Sequence, residues 1–435
     1  MLALSLSKDS CCKRLAQIKK LYFFLYKFVL LKFIIFFISS GIYLYPQLAS
    51  NTATGFTDSS IQNVINAANN GDTIMVYSGT YNEQLTPKPG QQFIAVDYVA
   101  GGDNTTTVIN GGIGDAFNLD SDANVVIRGF NITGDVGVRI CWSSSNVLVD
   151  GNIISNCGFR PVYFDSAENS DNCTIRSNVI VNNPGGVRIH DNDNVQLFRN
   201  RIAYAGWGGG VRFEGNGSSP LLVHNTLHDN THGGVNYGYT ANNITAYFTN
   251  NIFMNNNTEP AISIQDGDTA YVDYNLFYNN GAGDWSATGT VNNGPSNIQG
   301  SDPLLDASYT PTSGSPAVDS AIYYSGVSEP TGGAGPDIGW RELNPAGPAV
   351  IVSSNINTGA DYTNIMNGIN AASAGETVVV FAGTYNEYVN LGSKNNITLT
   401  AWPWMQSGDN TAVRISGTAN NNNIYFNNTV DCKVE

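Results

Sequence analysis

The stretch that decides the fold reads GlyValArgIleCys at residues 137–141 and recurs down the chain with small changes. One copy per roughly two dozen residues is the period of a solenoid, in which each coil stacks a short strand on the strand of the coil before it. The repeat therefore predicts stacked parallel strands. The other copies, aligned without a gap, are ProValTyrPheAsp (161–165), GlyValArgIleHis (186–190), GlyValArgPheGlu (210–214), GlyValAsnTyrGly (234–238) and AlaIleSerIleGln (261–265).

Two columns of the repeat are apolar in almost every copy. Because side chains alternate between the two faces of a strand, we expect these columns to face the core and the residues between them to face outward. The predicted inward residues are Val138, Val162, Val187, Val211, Val235 and Ile262 in one column, and Ile140, Phe164, Ile189, Phe213, Tyr237 and Ile264 in the other.

Asparagines follow the same period, each followed by apolar residues. Asparagine tolerates the left-handed backbone of a turn, and its amide can bond to the same amide one coil away. We predict a structural ladder rather than a functional site. Its members, at separations of 21, 26, 22, 25, 26 and 24 residues, are Asn131, Asn152, Asn178, Asn200, Asn225, Asn251 and Asn275.

A longer repeat divides the chain. Residues 68–83 match residues 372–387 at an offset of 304 positions, both ending in GlyThrTyrAsnGlu. We therefore predict one complete parallel β-helix unit at 51–300, a Pro/Gly/Ser-rich terminal segment and linker at 301–347, and the incomplete start of a second unit at 348–435.

An amphipathic face precedes the first predicted strand. Ile61, Val64, Ile65 and Ala68 follow Ser60 with the i, i+3, i+4, i+7 spacing of a short helix. We predict that this helix covers the open end of the β-helix. The predicted fold class is all-β: a β-helix with a short N-terminal capping helix and a second unit that is begun and truncated.

The first fifty residues have a different composition. Basic residues precede an apolar stretch from Phe33 to Tyr45, and small residues follow. This pattern is typical of a secretory signal peptide, with an uncleaved membrane anchor as the alternative. Residues 1–50 hold seven of the 20 Lys and Arg but one of the 35 Asp and Glu, so the exported part is strongly acidic. Such a surface disfavours nucleic acid, and we expect membrane contact only through an uncleaved N-terminal segment.

Motifs at both ends of the unit resemble a known family. The opening IleGln…IleAsnAlaAla…GlyAspThrIle…GlyThrTyrAsnGlu, the asparagine-bearing coils and the closing SerAspProLeuLeuAsp…SerGlySerProAlaValAspSer…AspIleGly are similar to pectin-lyase-like right-handed β-helix proteins over residues 55–340, and in part over 350–435. The resemblance implies a secreted or surface protein that acts on or binds acidic polysaccharides. Family members include polysaccharide lyases, hydrolases and non-catalytic adhesins, and no stretch matches the motif of one enzyme subfamily.

Polar residues concentrate in the outward columns of the repeat. Neighbouring coils lie about 4.8 Å apart, so we expect these side chains to line one face. One column reads Arg139, Tyr163, Arg188, Arg212, Asn236 and Ser263, and the next reads Cys141, Asp165, His190, Glu214, Gly238 and Gln265. The candidate catalytic residues are Asp165, Arg188, His190, Arg212 and Glu214. The candidate substrate-binding residues are Arg139, Tyr163, Asn236 and Trp207.

Three interpretations of this face remain open. In a lyase, an arginine or a bound cation neutralises the sugar carboxylate while His190 or an arginine removes the ring proton. In an inverting hydrolase, Asp165 and Glu214, two coils or about 9.6 Å apart, lie near the upper end of the ~6.5–9.5 Å carboxyl separation. In the third, the charges form a solvated structural ladder.

Other polar clusters are interpreted as structural. His224, His228 and His232 share one segment but not a helix face, so a loop is favoured over a metal site. Asp191 with Asp193, and Asp266 with Asp268, are the nearest clusters for calcium but fit turns better. No metal ligands are assigned, and calcium stays an open alternative. We expect a monomeric, polysaccharide-directed protein: a pectate-lyase-like polysaccharide lyase or, from a different class, a non-catalytic adhesin or structural surface repeat protein.

Overall fold

A computed structural model describes most of the chain after residue 47. The described residues are 48–165, 170–191, 194–216, 218–238, 243–324, 327–328, 334–343, 353–355, 360–362, 364–380, 383–392, 394–401, 413–416, 424–425 and 432–434. The predicted signal peptide or anchor lies outside them except for its last three residues, as does Asp193. Within the described ranges, no helix has the length and hydrophobicity needed to span a bilayer.

The first part of the chain forms a right-handed parallel β-helix with three sheets. Sheet A contains Ala49–Asn51, Thr57–Asp58, Thr73–Val76, Gln92–Ala95, Val126–Arg128, Leu148–Asp150, Thr174–Arg176, Gln196–Phe198, Leu221–Val223, Thr245–Thr249, Thr269–Asp273 and Thr290–Asn293. Sheet B contains Gly79–Tyr81, Thr107–Asn110, Asn131–Thr133, Ile153–Ser155, Val179–Val181, Arg201–Ala203, Thr226–His228, Ile252–Met254, Leu276–Tyr278 and Ile298–Gln299. Sheet C contains Phe117–Asp120, Val136–Cys141, Arg160–Phe164, Gly185–His190, Trp207–Glu214, Val235–Tyr237, Ile262–Ile264 and Trp285–Ala287.

The register of sheet C confirms the predicted alignment. Val138 lies beside Val162, Val187 beside Val211, and Val235 beside Ile262. All twelve predicted inward residues are buried in one continuous core. Burying each such side chain stabilises the fold by about 1.5–3 kcal/mol. The described cysteines are free, and Cys141, Cys157 and Cys173 are buried, as expected of small core residues.

The asparagine ladder forms along the inside of the turn between sheets A and B. From Asn152 to Asn275 each Nδ2 donates to the Oδ1 of the next asparagine at 2.9–3.2 Å. The assignment of Asn131 to this ladder is wrong, because Asn131 pairs with Ile153 and the ladder position in its coil is Phe130, whose N–H donates to Asn152. The ladder instead ends at Asn297, which accepts from Asn275.

Among the described residues, helices occupy three short segments: α1 (Ile61–Ala67), α2 (Val96–Gly101) and α3 (Ile365–Ala371). The predicted apolar face of α1 is confirmed, since its isoleucines and valine are buried in the main core. Glu83, the last residue of the GlyThrTyrAsnGlu motif, accepts from the backbone N–H groups of Ile61 and Gln62 at 3.0 and 2.9 Å. The motif glutamate therefore binds the N-terminal end of α1, where backbone donors have no helical partner. That α1 acts as a cap stays a prediction.

The same arrangement recurs near the C-terminus. Glu387 accepts from Ile365 and Met366 at the start of α3, and Lys394 donates to the carbonyls at the end of α3, as Lys88 does at α1. This C-terminal segment, residues 353–434, has its own apolar core. Its strands are Ser353–Asn355, Ala360–Tyr362, Thr377–Val380, Gly383–Tyr385, Val389–Asn390, Thr398–Ala401, Val413–Ile415, Ile424–Tyr425 and Lys433–Val434.

The segment after the last coil folds back on the outside of sheet B. Ala317 and Ile338 pack on the outward side chains Ile252 and Leu276. His224 contacts the carbonyl of Asp337 at 3.1 Å through Nδ1. Residues 301–343 thus cover part of the β-helix wherever the structure describes them.

Candidate functional site on sheet C

The outward columns of sheet C form one continuous polar face. Arg139 lies beside Tyr163, Tyr163 beside Arg188, and Arg188 beside Arg212 in successive coils. Asn236 continues the column, and His190 is level with Glu214 in the adjacent column. These neighbours are the ones expected from the alignment, because strand alternation turns every second residue away from the apolar core.

Glu214 holds the centre of this face. Arg188 donates from Nε to Glu214 Oε2 at 2.5 Å, and Arg212 donates from its Nε to Glu214 Oε1. The two guanidinium groups come from neighbouring coils, and all three side chains are more than three-quarters buried. A single carboxylate therefore binds two arginines in charge-assisted hydrogen bonds.

The pKa of Glu214 reflects this pairing. Burial by itself would raise that pKa, but the guanidinium groups of Arg188 and Arg212 outweigh it and bring the pKa below its ordinary value. Glu214 is therefore ionised at neutral pH. A general acid needs a carboxyl group with a raised pKa, so this side chain does not suit the acid role in hydrolysis.

The hydrogen bonds continue to the preceding coils. Tyr163 accepts from Arg188 Nη1 at 2.5 Å and donates to Asp165 Oδ1 at 3.1 Å. Arg139 lies 3.6 Å from Asp165 Oδ2 and 3.0 Å from Asp115 Oδ2. Each arginine of this column, Arg139, Arg188 and Arg212, therefore forms an ion pair with a carboxylate. We call this set the Glu214 network: Asp115, Arg139, Tyr163, Asp165, Arg188, Arg212 and Glu214.

Aromatic side chains flank the Glu214 network. Phe159 and Trp207 are 36% and 39% exposed, with ring centroids 5.3 Å apart. Arg160 lies against them, its Cζ 4.2 Å from the Trp207 ring centroid, and donates to the carbonyl of Gly186 at 3.0 Å. Burial lowers the pKa of Arg160 to about 10, so it stays charged at neutral pH. We call Phe159 and Trp207 the aromatic rim.

His190 completes the face beside the Glu214 network. Its Nδ1 lies 2.8 Å from Asp191 Oδ2, so a carboxylate lies directly beside the imidazole ring. Asp191 has a left-handed backbone, and its Oδ1 accepts from the N–H of Asn216 at 2.6 Å. Asp191 is thus part of a turn, as favoured from the sequence.

The aspartates and histidines considered as metal ligands outside this face have separate contacts and do not converge on one site. Asp268 is buried and accepts from the N–H of Ile244 at 2.9 Å, which is a structural role. His224 contacts the folded-back segment, His228 contacts Asp229 at 2.7 Å, and His232 is half-exposed beside Glu259. In the part of the chain that the structure describes, no three His, Cys, Asp or Glu side chains are grouped as metal ligands.

Sequence reasoning identified most of this face. It missed Asp115, which precedes the first aligned copy of the repeat, and it also missed Phe159 and Arg160. Both precede the five-residue repeat, where the coils differ in length and the alignment ends. A sequence signal for both does exist: Phe159 and Arg160 are an aromatic residue and an arginine directly before the aligned copy at 161–165. Trp207 was predicted as an aromatic ring that can stack on a sugar, and the structure places it at the start of the strand Trp207–Glu214.

The three parallel sheets, stacked coil upon coil, define a right-handed parallel β-helix protein, and its polar face lies on sheet C. Residues 166–298 match the family model described as a right handed beta helix region, so the resemblance to β-helix proteins is confirmed at the level of the fold. A solved structure titled "Crystal structure of pectate lyase Pel9A" is 14% identical, with a TM-score of 0.43, and covers 68% of this chain and 94% of that chain. No curated protein matched the chain.

Proposed function

We propose that this is a secreted or surface-displayed polysaccharide-binding protein whose binding face is the outside of sheet C. The observation that carries the proposal is the Glu214 network lying beside the aromatic rim. The rim offers exposed rings for stacking against the apolar face of a sugar. The network beside it offers polar groups in a fixed line, at the coil spacing of about 4.8 Å.

Charge balance favours binding over elimination at this face. A lyase needs a cation to neutralise the sugar carboxylate and a base to remove the proton. Arg188 and Arg212 already bind Glu214, and Arg139 already contacts Asp115 and Asp165. Sugar rings rather than sugar carboxylates are therefore expected to provide most of the contact energy.

A polysaccharide lyase is the second candidate, and His190 is the observation that favours it. Its imidazole lies in an outward column with Nδ1 2.8 Å from Asp191 Oδ2, and imidazole is the side chain that most often serves as a general base. The Glu214 network lies in the adjacent column, so a proton acceptor and a line of polar groups are close together.

The test uses the full chain on pectate, alginate, glycosaminoglycan and neutral glucan panels. Retention on glycan affinity gels is compared for wild type, a Phe159→Ala/Trp207→Ala variant and a Trp142→Ala variant, which removes a more exposed tryptophan outside the rim. We expect at least about tenfold weaker retention for the first variant and no change for the second. Equal retention of all three would reject the proposed face.

Unsaturated uronide products are followed by ultraviolet absorbance in the same incubations, with and without calcium. Binding without product supports the proposed function. Product that disappears in a His190→Ala variant would replace it with the lyase.

A further inference from the structure

Two apolar residues on the outside of sheet A are buried. Met75 and Ile94 lie side by side in neighbouring coils, and the residues on either side of each along the strand line the main core. Strand alternation therefore directs Met75 and Ile94 away from that core. Yet they are 3% and 0% exposed, so another part of the chain covers them.

Part of the cover comes from the C-terminal segment, and Tyr77 and Val99 of the first unit pack on the same residues. Val379 packs with Met75, Ile94 and Val96 in an apolar cluster that is separate from both cores. Val378 and Val380 belong to the C-terminal core, so Val379 also points outward from its own sheet. The junction is therefore a contact between the outer faces of two sheets.

The contact joins equivalent positions of the internal repeat. Val379 follows Met75 by 304 residues, which is the offset of the matching sequences. Met75 pairs with Ile94 in its sheet, and Val379 pairs in the same way with Thr400, which is also buried. A surface that meets its own equivalent is self-complementary, as in a two-fold symmetric dimer interface.

The apolar face is limited to the first coils. The next residue in the column after Ile94 is Arg128, followed by Asp150 and Arg176, which form an ion-paired ladder. Met75 and Ile94 thus present a two-coil apolar face, bordered by charge. The C-terminal segment contributes Val379 to this face, with Thr400 beside Val379 in the neighbouring strand.

We propose that the outer face of the first coils, Met75 and Ile94, is an interaction surface for a second copy of the same unit. In this chain the C-terminal segment occupies it through Val379. When Val379 no longer covers it, the face pairs with the same face of another chain. This surface lies on sheet A and is independent of the sugar-binding face proposed on sheet C.

The test uses the full chain with Val379→Asp, a Met75→Asp/Val379→Asp double variant, and Gln196→Asp as a matched control on the outside of sheet A. We expect wild type and Gln196→Asp to be monomers, and Val379→Asp to double in mass at about 50 µM by light scattering, because association depends on concentration. The double variant should return to a monomer. A monomeric Val379→Asp chain, or a double variant that still dimerises, would overturn the proposal. Circular dichroism checks that the strands are retained, and loss of the C-terminal segment's fold would still expose the face.

Discussion

Sheets A and C each carry a carboxylate between two arginines on their outer faces. On sheet A, Asp150 lies 3.1 Å from both Arg128 and Arg176, one coil to either side. On sheet C, Glu214 binds Arg212 of its own coil and Arg188 of the coil before. The next residue in the Asp150 column is Phe198, whereas the Glu214 network extends through Tyr163 and lies beside exposed aromatic rings. A charged ladder is thus a structural feature common to both faces, and only its surroundings distinguish a candidate site.

Removing the carboxylate of Asp150 should have the largest effect on stability. Its side chain is 4% exposed and that of Arg128 is 5% exposed, so Asp150→Ala removes a carboxylate that neutralises a buried guanidinium. We expect a loss of about 3–5 kcal/mol in the free energy of unfolding, measured by urea denaturation. Arg176→Ala, which removes the more exposed partner, is the control and should cost less. Equal losses of unfolding free energy for Asp150→Ala and Arg176→Ala would mean that burial of the ion pair does not determine the size of the effect.

Glu214→Ala should change both stability and glycan retention, whereas Asp150→Ala should change stability alone. The arginines of sheet C reach solvent more than Arg128 does, so we expect a smaller loss, about 1–3 kcal/mol. The change also releases Arg188 and Arg212 for external carboxylates, so retention on pectate or alginate should rise about tenfold. Asp150→Ala is the control for retention and should not change it. Unchanged retention of Glu214→Ala would mean that the arginines are not available to a ligand.

Gly238→Ala should perturb the Glu214 network without removing a charge. A methyl group at Gly238 would lie 2.8 Å from Glu214 Cγ and 3.0 Å from Arg212 Nη2, so the ion pair must shift. We expect a loss of about 1 kcal/mol, at the low end for overpacking, because these side chains are long and can move. Ser263→Ala, in the neighbouring column two coils from Glu214, should be neutral in the same urea titration. A neutral Gly238→Ala would show that the network adapts freely.

Acid should weaken sheet C gradually. Because the folded-state pKa of Glu214 lies below its ordinary value of 4.5, its ion pairs contribute stability that is fully present above pH 4.5 and is lost as the pH falls further. We expect the melting temperature of wild type to fall over this range more than that of Glu214→Gln, which has no carboxylate to titrate. Parallel curves for the two proteins would show that Glu214 does not set the acid response.

Much of the candidate site could be predicted because, in a solenoid, residues one sequence period apart lie side by side in neighbouring coils. Arg188 and Arg212, or His190 and Glu214, are neighbours because their coils repeat a five-residue strand without a gap. Asn131 was misplaced because its coil puts Phe130 at the ladder position. Phe159 and Arg160 were missed because they lie where coil lengths vary and the alignment carries no register.

Local repetition determined the parallel β-helix, its inward columns, the ladder from Asn152 to Asn275 and the polar face of sheet C, since each depends on contacts between adjacent coils. Tertiary structure alone decided the rest: that Glu214 binds both arginines, that Ala317 and Ile338 pack on the outside of sheet B, and that Val379 packs on Met75. Those contacts join side chains through rotamers or segments far apart in the chain. The sequence period specifies neither the rotamers nor the contacts between distant segments, because these depend on shape and charge in the folded protein.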